Sequence, residues 1–364
     1  MKRSFYPNIE GFRGLAILLV LLSHWIVIAY FPNFIFLKLG FLGVNFFFVL
    51  SGFLITEILL IDLHNKVKKK HILINFFAKR TLRIFPIYYI TIIGLAIFNI
   101  RGSIDLLPWT LTYSLNIGQN WFGAYDKMFM HIWSLCVEEQ FYLIWPFVLL
   151  LTRRTRYYKV ILSFIIMSIV FKIVMFVLHW NNYEAVNHSN LIAAIDALAV
   201  GGMLAYLKRY NHYQWIRIEN SSPYIALVLL FLFWFISFNA NDFKLASTSL
   251  LRLLSACIAS ILIVKAVSQR NYSINKIIRT KAFKFLGKIS YGVYLYHWII
   301  SFLLMGYFSK LWERVNFDVL GVFKVVQYHK YIGSFLFFLI VTIAVAIISY
   351  YCIEKPILKL KRFF

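Results

Sequence analysis

Residues 11–25 read GFRGLAILLVLLSHW, an apolar stretch that carries one arginine, Arg13, and one histidine, His24. At 100° per residue, eleven steps bring a helix back to within about 20° of its starting face, so both side chains lie on one face, about 16 Å apart along the axis. An ionisable group inside a bilayer costs about 3 kcal/mol or more, and such residues usually face a protein interior. The stretch therefore predicts a transmembrane helix that forms one wall of a pathway or a site.

The composition of the whole chain is that of a membrane protein. Of its 364 residues 61% are hydrophobic and 19% aromatic, and the mean hydropathy is +0.74, which exceeds what a soluble core needs. Residues 105–117 are short for a span and carry Pro108, so we expect an interfacial or re-entrant piece there. We predict an all-α, polytopic integral membrane protein with about ten transmembrane helices in a single domain over 1–364. The ten predicted spans are 12–30, 40–61, 84–100, 133–151, 158–179, 188–207, 223–239, 246–267, 289–309 and 331–353.

The net charge of +24 suggests nucleic-acid binding, but the basic residues follow the loops of a membrane protein. Of the 38 lysines and arginines, 27 fall in loops on one side and 8 in loops on the other, while Arg13, Lys172 and Arg252 lie within predicted spans. The positive-inside rule then places both termini in the cytoplasm, which an even number of spans also requires. We expect membrane lipids, and no nucleic acid, as partners.

The three cysteines predict neither a disulfide framework nor a metal site. Cys136, Cys257 and Cys352 fall within or at the ends of predicted helices and have no paired spacing. We expect packing roles for them and no metal cofactor.

Polar residues within or next to the predicted spans give two candidate functional groups. Glu138 and Glu139 enter the membrane to a depth close to that of His24, so a carboxylate could orient the imidazole as a general base. A structural contact between helices is the alternative. Arg80 and Arg83 lie three apart at the start of the third span, either as a topology signal and lipid anchor or as a clamp for a phosphorylated donor.

Of three further features, the first two each allow two interpretations. Ser51 and Gly52, in the second span, could serve helix packing or the close approach of a ligand chain. The aromatic and amide residues of 101–130 suit a carbohydrate, but they are also typical of a membrane interface. Asp196 and Arg252 are expected to form a buried pair, because either charge alone would be costly in the membrane.

In order along the chain, these segments resemble the membrane-bound acyltransferase family 3, which includes O-acetyltransferases of bacterial surface polysaccharides. The resemblance runs from Arg13 to Glu354, and its blocks occur in the family's order and membrane positions. The blocks are Arg13 with His24, GFLGVNFFFVLSGFLI at 40–55, RTLRIFPIYY at 80–89, WSLCVEEQFYLIWP at 133–146, LGKISYGVYLYHW at 286–298 and IEKP at 353–356.

The resemblance implies an enzyme of the bacterial cytoplasmic (inner) membrane that takes an acyl group, usually acetyl, from acetyl-CoA and delivers it to a sugar hydroxyl outside. Arg13 and His24 match the family's essential pair, and Arg80 with Arg83 matches its second motif. Some relatives carry an additional extracytoplasmic hydrolase-like domain, and we expect none here. The candidate site residues are His24, Glu138 and Glu139 for catalysis, Arg13, Arg80 and Arg83 for the donor, and Ser51, Gly52, Ser290, Tyr291 and His297 for a pocket.

The expected partners are acyl-CoA, the acyl donor, and a carbohydrate acceptor, which the sequence leaves open among lipopolysaccharide O-antigen, capsule, peptidoglycan and exported molecules. His24 would act either as a general base or as a transient acyl carrier. A proton-coupled transporter or flippase of a glycan precursor is the alternative, since it would also need intramembrane His, Glu and Arg. A third possibility is a structural partner of a polysaccharide-assembly complex.

Overall fold

The computed structural model describes residues 6–27, 37–180, 183–221, 223–268, 270, 273–314 and 326–364, and within them it contains helices and no strand. The helices are α1 Pro7–Leu22, α2 Leu39–His64, α3 Lys69–Ile97, α4 Leu107–Leu111, α5 Leu115–Trp121, α6 Trp133–Leu151, α7 Tyr157–Val177, α8 Tyr183–Ser189, α9 Leu191–Tyr210, α10 His212–Glu219, α11 Pro223–Phe238, α12 Lys244–Ser268, α13 Ser273–Ile278, α14 Lys281–Lys288, α15 Ser290–Arg314, α16 Val326–Ser349 and α17 Lys355–Leu358. Single π turns at Ser23–Val27 and Tyr350–Glu354 follow α1 and α16.

The all-α membrane architecture predicted from the sequence is confirmed. Among the described residues, eight helices are long and apolar enough to cross a membrane, and α10 with α11, joined across a 77° bend, gives a ninth candidate. The remaining predicted span corresponds to α1, which has 16 helical residues and continues into the π turn at Ser23–Val27. The predicted interfacial piece at 105–117 does not span, because it contains only the short α4 and the start of α5. The three cysteines are free.

The centre of the bundle is formed by α2 packed against α9. In α2, 78% of the most apolar window is buried inside the protein, compared with 17% for α7, which is left to face lipid. The two backbones nearly touch, because a Cβ on Gly52 would lie 1.9 Å from the Leu198 carbonyl oxygen and a Cβ on Gly201 would lie 2.0 Å from that of Val49. Gly52 therefore serves helix packing, which is one of the two interpretations that the sequence allowed.

The acidic residue of α9 has a different partner from the one that the sequence suggested. Asp196 pairs with Lys172 of α7 at 2.5 Å, and both side chains are completely buried. Arg252 instead donates through Nη2 to the backbone carbonyl of His188 at 2.6 Å. The predicted direct pair of Asp196 with Arg252 is wrong, because a lysine within the apolar run of α7 supplies the nearer charge.

Residues near the two ends of the chain meet at one end of the bundle. Tyr6 and Lys361 line the same cavity, and Lys79, early in α3, donates to the Phe364 carbonyl oxygen at 2.5 Å. We refer to this end as the lower end and to the opposite one, which contains His24 and Lys127, as the upper end. The shared position of the chain ends agrees with an even number of spans.

Candidate active site

Three cavities lie in a row between the two ends of the bundle. The lower cavity, about 1080 Å³, contains Tyr6, Glu354 and Lys361 in its wall. The middle cavity, about 720 Å³, is surrounded by α1, α2, α3, α6 and α15. The upper cavity, about 1990 Å³, has His24 in its wall.

Neighbouring cavities share wall residues, so the row is nearly continuous. The lower and middle cavities share Arg13, Leu54, Arg83 and Tyr291. The middle and upper cavities share only Val44 and Tyr294 among the described residues. Arg13 therefore lies where the lower and middle cavities join, and His24 lies beyond a narrow partition in the upper one.

His24 is the outer member of a hydrogen-bonded histidine pair. Its Nδ1 lies 2.8 Å from Nε2 of His297, whose own Nδ1 lies 2.6 Å from the carbonyl oxygen of Tyr294. A carbonyl can only accept, so Nδ1 of His297 carries a proton, and a neutral His297 then accepts at Nε2 the proton of His24 Nδ1–H. This assignment leaves Nε2 of His24 unprotonated, with a lone pair that can serve as a base or a nucleophile.

The surroundings hold this pair in one orientation and leave space near the reactive nitrogen. The indole of Trp25 donates to Ser301 Oγ at 2.6 Å, and that hydroxyl donates to the His297 carbonyl oxygen at 2.7 Å. A Cβ placed on Gly40 would lie 3.5 Å from His24 Nε2, so a glycine here keeps the nitrogen accessible. His24 itself belongs to the π turn that ends α1, a type of distortion that is frequent at functional sites.

Neither glutamate is paired with His24 in the described part of the chain, contrary to the expectation from membrane depth. Glu138 accepts hydrogen bonds from Ser51 at 2.9 Å and from Tyr142 at 3.0 Å, and it lines the middle cavity. Glu139 is outside the walls of all three cavities. Membrane depth alone does not determine the direction in which a helix side chain points. In the structure, Tyr294 lies between the middle cavity, which Glu138 lines, and the upper cavity, which His24 lines.

The three arginines that were predicted to bind the donor line adjoining cavities. Arg13 and Arg83 line the lower and middle cavities, and Arg80 lines the middle one, with its guanidinium 5.0 Å from the ring centroid of Tyr142. Within the described residues none of the three makes an ion pair within 4.0 Å. Unpaired guanidinium groups at a cavity wall can bind phosphate or carboxylate oxygens.

The lower cavity contains two lysines that the sequence indicated only as topology signals. Lys288 and Lys361 line it together with the acids Glu10 and Glu354. Lys288 lies at the end of α14, with its Nζ 5.1 Å from the Tyr350 ring. The count of basic residues on each side could not distinguish these two cavity-lining lysines from the other basic residues on the same side.

Of the remaining predicted pocket residues, some line a cavity and one is buried behind the cavity wall. Ser51, Ser290 and Tyr291 line the middle cavity. His297 is completely buried and supports His24 rather than lining a cavity.

The upper cavity has the mixed lining expected for a polar organic ligand. Its wall carries three basic residues, one acid and several amides, and the aromatic rings of Trp133 and Trp298. Burial lowers the pKa of the Lys38 ammonium, and neighbouring Glu184 opposes that shift. Gln119 and Asn120, from the amide-rich segment that suggested carbohydrate binding, are both part of this wall. Nothing in the sequence indicated that Lys38 and Lys244 would also belong to this wall.

Comparison with known proteins gives one family and several relatives. The family model described as an acyltransferase domain matches residues 6–354. Peptidoglycan O-acetyltransferase OatA of Listeria monocytogenes is 28% identical over 326 residues, which cover 82% of this chain and 50% of that protein. A putative O-acetyltransferase of Staphylococcus aureus is 27% identical over 335 residues, with 83% and 52% coverage. A putative peptidoglycan O-acetyltransferase of Bacillus subtilis, YrhL, is 26% identical over 384 residues, with 97% and 55% coverage.

The chain thus spans about half the length of the curated relatives that it matches. No solved structure matches it.

Proposed function

Since the chain belongs to acyltransferase family 3, as the match over residues 6–354 shows, we propose that it is a membrane O-acetyltransferase that uses acetyl-CoA and acetylates a glycan hydroxyl. The observation that carries the proposal is the row of three cavities, with unpaired arginines where the lower and middle ones join and the free nitrogen of His24 in the upper one. A donor and an acceptor could thus enter from opposite ends.

The lower end would face the cytoplasm and receive the donor. The positive-inside count assigns both chain ends to that side in a bacterial cytoplasmic membrane. Coenzyme A is an anion, and its phosphates would rest against Arg13 and Arg83, with Lys288 and Lys361 nearby in the same wall. An extended pantetheine arm is about 15 to 20 Å long, comparable with the separation of about 16 Å from Arg13 to His24 along α1.

The chemistry would take place at Nε2 of His24. As a general base, this nitrogen accepts the proton of the acceptor hydroxyl while the oxygen attacks the thioester carbonyl, the C–S bond breaks and the coenzyme A thiolate leaves. The proton then passes from His24 to the thiolate. In the second route Nε2 attacks the thioester carbonyl first, the C–S bond breaks and the coenzyme A thiolate leaves. The acceptor oxygen then attacks the acetyl carbonyl, the C–N bond breaks, and the freed Nε2 takes the hydroxyl proton and passes it to the thiolate. In both routes His297 holds the ring by accepting from Nδ1–H.

The acceptor would enter the upper cavity from the outer side. Two of the relatives are named peptidoglycan O-acetyltransferases, which supports a cell-envelope glycan as the acceptor class. Tryptophan rings and amides in the wall supply the stacking faces and the hydrogen bonds that sugar rings use.

The test uses purified protein in lipid nanodiscs with radiolabelled acetyl-CoA and isolated cell-wall glycan. We expect label to appear on the glycan with the wild type and with His212→Ala, an exposed histidine outside the three cavities, and to be lost with His24→Ala. Equal labelling by His24→Ala and the wild type would contradict the proposed role of His24. Absence of labelling by the wild type would contradict the activity.

A proton-coupled transporter or flippase is the second candidate, and one observation favours it. Cavities on both sides of a thin partition at Val44 and Tyr294 are also what alternating access requires. A transporter moves its substrate unchanged, so in the experiment above it would leave the glycan unlabelled while still moving a glycan precursor across vesicle membranes.

A further inference from the structure

Arg252 is buried in the wall of the upper cavity with part of its charge unsatisfied. Only 3% of the residue is exposed, and its guanidinium carbon lies 5.4 Å from the ring centroid of Phe41 and 5.9 Å from that of Trp133. Nη2 donates to the backbone carbonyl of His188. Nη1 has no hydrogen-bond partner among the described residues. A buried cation in this state is costly unless an anion completes its shell.

The protein supplies only part of that negative charge. Asp196 attracts Arg252 electrostatically but forms its ion pair with Lys172, at 2.5 Å. The one acidic residue among the described residues of the cavity wall is Glu184, which hydrogen-bonds with Tyr183.

The same wall carries two more cations, Lys38 and Lys244. Neither forms an ion pair within 4.0 Å in the described part of the chain. The wall therefore contains three basic side chains and one acidic side chain among the described residues, which gives the cavity an excess of positive charge.

Two further polar atoms of the wall are buried without a partner in the described structure. Gln119 Nε2 is a donor, and Asn187 Oδ1 is an acceptor. Buried polar groups of native proteins are nearly all hydrogen-bonded, so unpartnered ones on residues that line a cavity indicate groups that a ligand or water completes. Hydroxyl groups can both accept from the first atom and donate to the second.

We propose that the upper cavity selects an acceptor sugar that carries a negative charge, which binds Arg252 Nη1 with Lys38 and Lys244 while a hydroxyl of the same sugar lies at His24. This inference rests on the proposed function, since it specifies the class of its acceptor. A carboxylate and a phosphate share the required chemistry, and the probes below distinguish them. The charge would orient the sugar ring, so that one hydroxyl and not another reaches His24 Nε2.

The test measures binding of three probes to the protein in nanodiscs, without acetyl-CoA. The probes are N-acetylglucosamine, which is neutral, N-acetylmuramic acid, which adds a carboxylate to the same ring, and N-acetylglucosamine 1-phosphate. We expect at least one charged probe to bind about tenfold or more tightly than the neutral one, with the preference decreasing as salt is raised. The tighter of the two charged probes identifies the anion.

Variants locate the preference in the cavity. Lys244→Gln changes an exposed side chain that forms no hydrogen bond in the described structure, and should reduce the preference severalfold. Arg252→Gln should reduce it further. Lys127→Gln removes an exposed lysine of the same end that does not line the cavity, and should leave the preference unchanged. Thermal unfolding checks that each variant is folded. If Arg252→Gln does not fold, the result for Lys244→Gln alone decides the test.

The inference is overturned if the neutral probe binds as tightly as both charged ones, if none of the three binds, or if Lys127→Gln has the same effect as Lys244→Gln. Because the assay contains no donor, its result is independent of acetyl transfer. Transfer to glycan together with no charge preference would leave the proposed function standing and remove only this inference.

Discussion

The two paired histidines, His24 and His297, differ in the role that their hydrogen bonds allow. His297 is bound on both nitrogens, to the Tyr294 carbonyl oxygen and to His24, so it cannot accept another proton without breaking a contact. His24 has one nitrogen bound and one free. The pair therefore resembles a general base with an orienting neighbour, in which the neighbour is an imidazole instead of a carboxylate.

Removal of His297 tests this division of roles. We expect His297→Ala to lower kcat for acetyl transfer about tenfold or more and to leave KM for acetyl-CoA unchanged, because His24 loses its orienting acceptor. His297→Gln should recover part of kcat, since an amide oxygen can also accept from Nδ1–H of His24. Equal kcat for His297→Ala and the wild type would contradict the positioning role, as would a loss in KM alone.

Arg80 tests the donor side at the same scale. It lines the middle cavity without an ion pair within 4.0 Å in the described structure, so its charge is available to an anionic donor. We expect Arg80→Ala to raise KM for acetyl-CoA about tenfold. The matched control is Arg153→Ala, an exposed arginine of the same predicted side that lines none of the three cavities. An unchanged KM in Arg80→Ala would remove this residue from the donor site.

At the scale of elements, the spans themselves were predictable, and the contacts between them were not. Hydropathy located a helix at each predicted span, because segment length and apolarity are properties of single segments. Partner choice depends on the rotation of each helix about its axis, which one sequence does not give. For this reason the pair of Asp196 with Arg252 was predicted from the sequence, although Lys172 of α7 is the residue that forms the ion pair with Asp196.

The link between α7 and α9 gives a prediction about stability. Asp196→Ala should destabilise the protein by about 3–5 kcal/mol, because it leaves the fully buried Lys172 unpaired. The double variant Lys172→Met with Asp196→Leu should recover most of that loss, since it removes both charges and keeps the volume. Thermal unfolding of purified protein measures both. A double variant as unstable as the single one would indicate that the pair stabilises the fold itself.

At the scale of the whole molecule, the sequence predicted a pathway along one face of α1 but did not indicate the form of its cavities. Arg13 and His24 were expected on one helical wall, and the structure places them at two different cavities of one row. Cavities arise from what neighbouring helices leave unfilled, so the partition at Val44 and Tyr294 has no signature in the motifs. The basic wall of the upper cavity was missed for the same reason, since Lys38, Lys244 and Arg252 come from separate parts of the chain.

This partition gives the prediction that most directly concerns the complete pathway. Val44 is 8% exposed and lies in the walls of both the middle and the upper cavity, so a larger side chain there would obstruct the connection between them. We expect Val44→Trp to abolish acetyl transfer while binding of acetyl-CoA changes less than about twofold, because the arginines that would hold the donor lie below the partition. Val44→Phe should show a smaller loss. Val170→Trp, at an exposed position of α7, is the control for the effect of a bulky substitution on folding. Transfer at the wild-type rate by a folded Val44→Trp protein would mean that the thioester reaches His24 by another route.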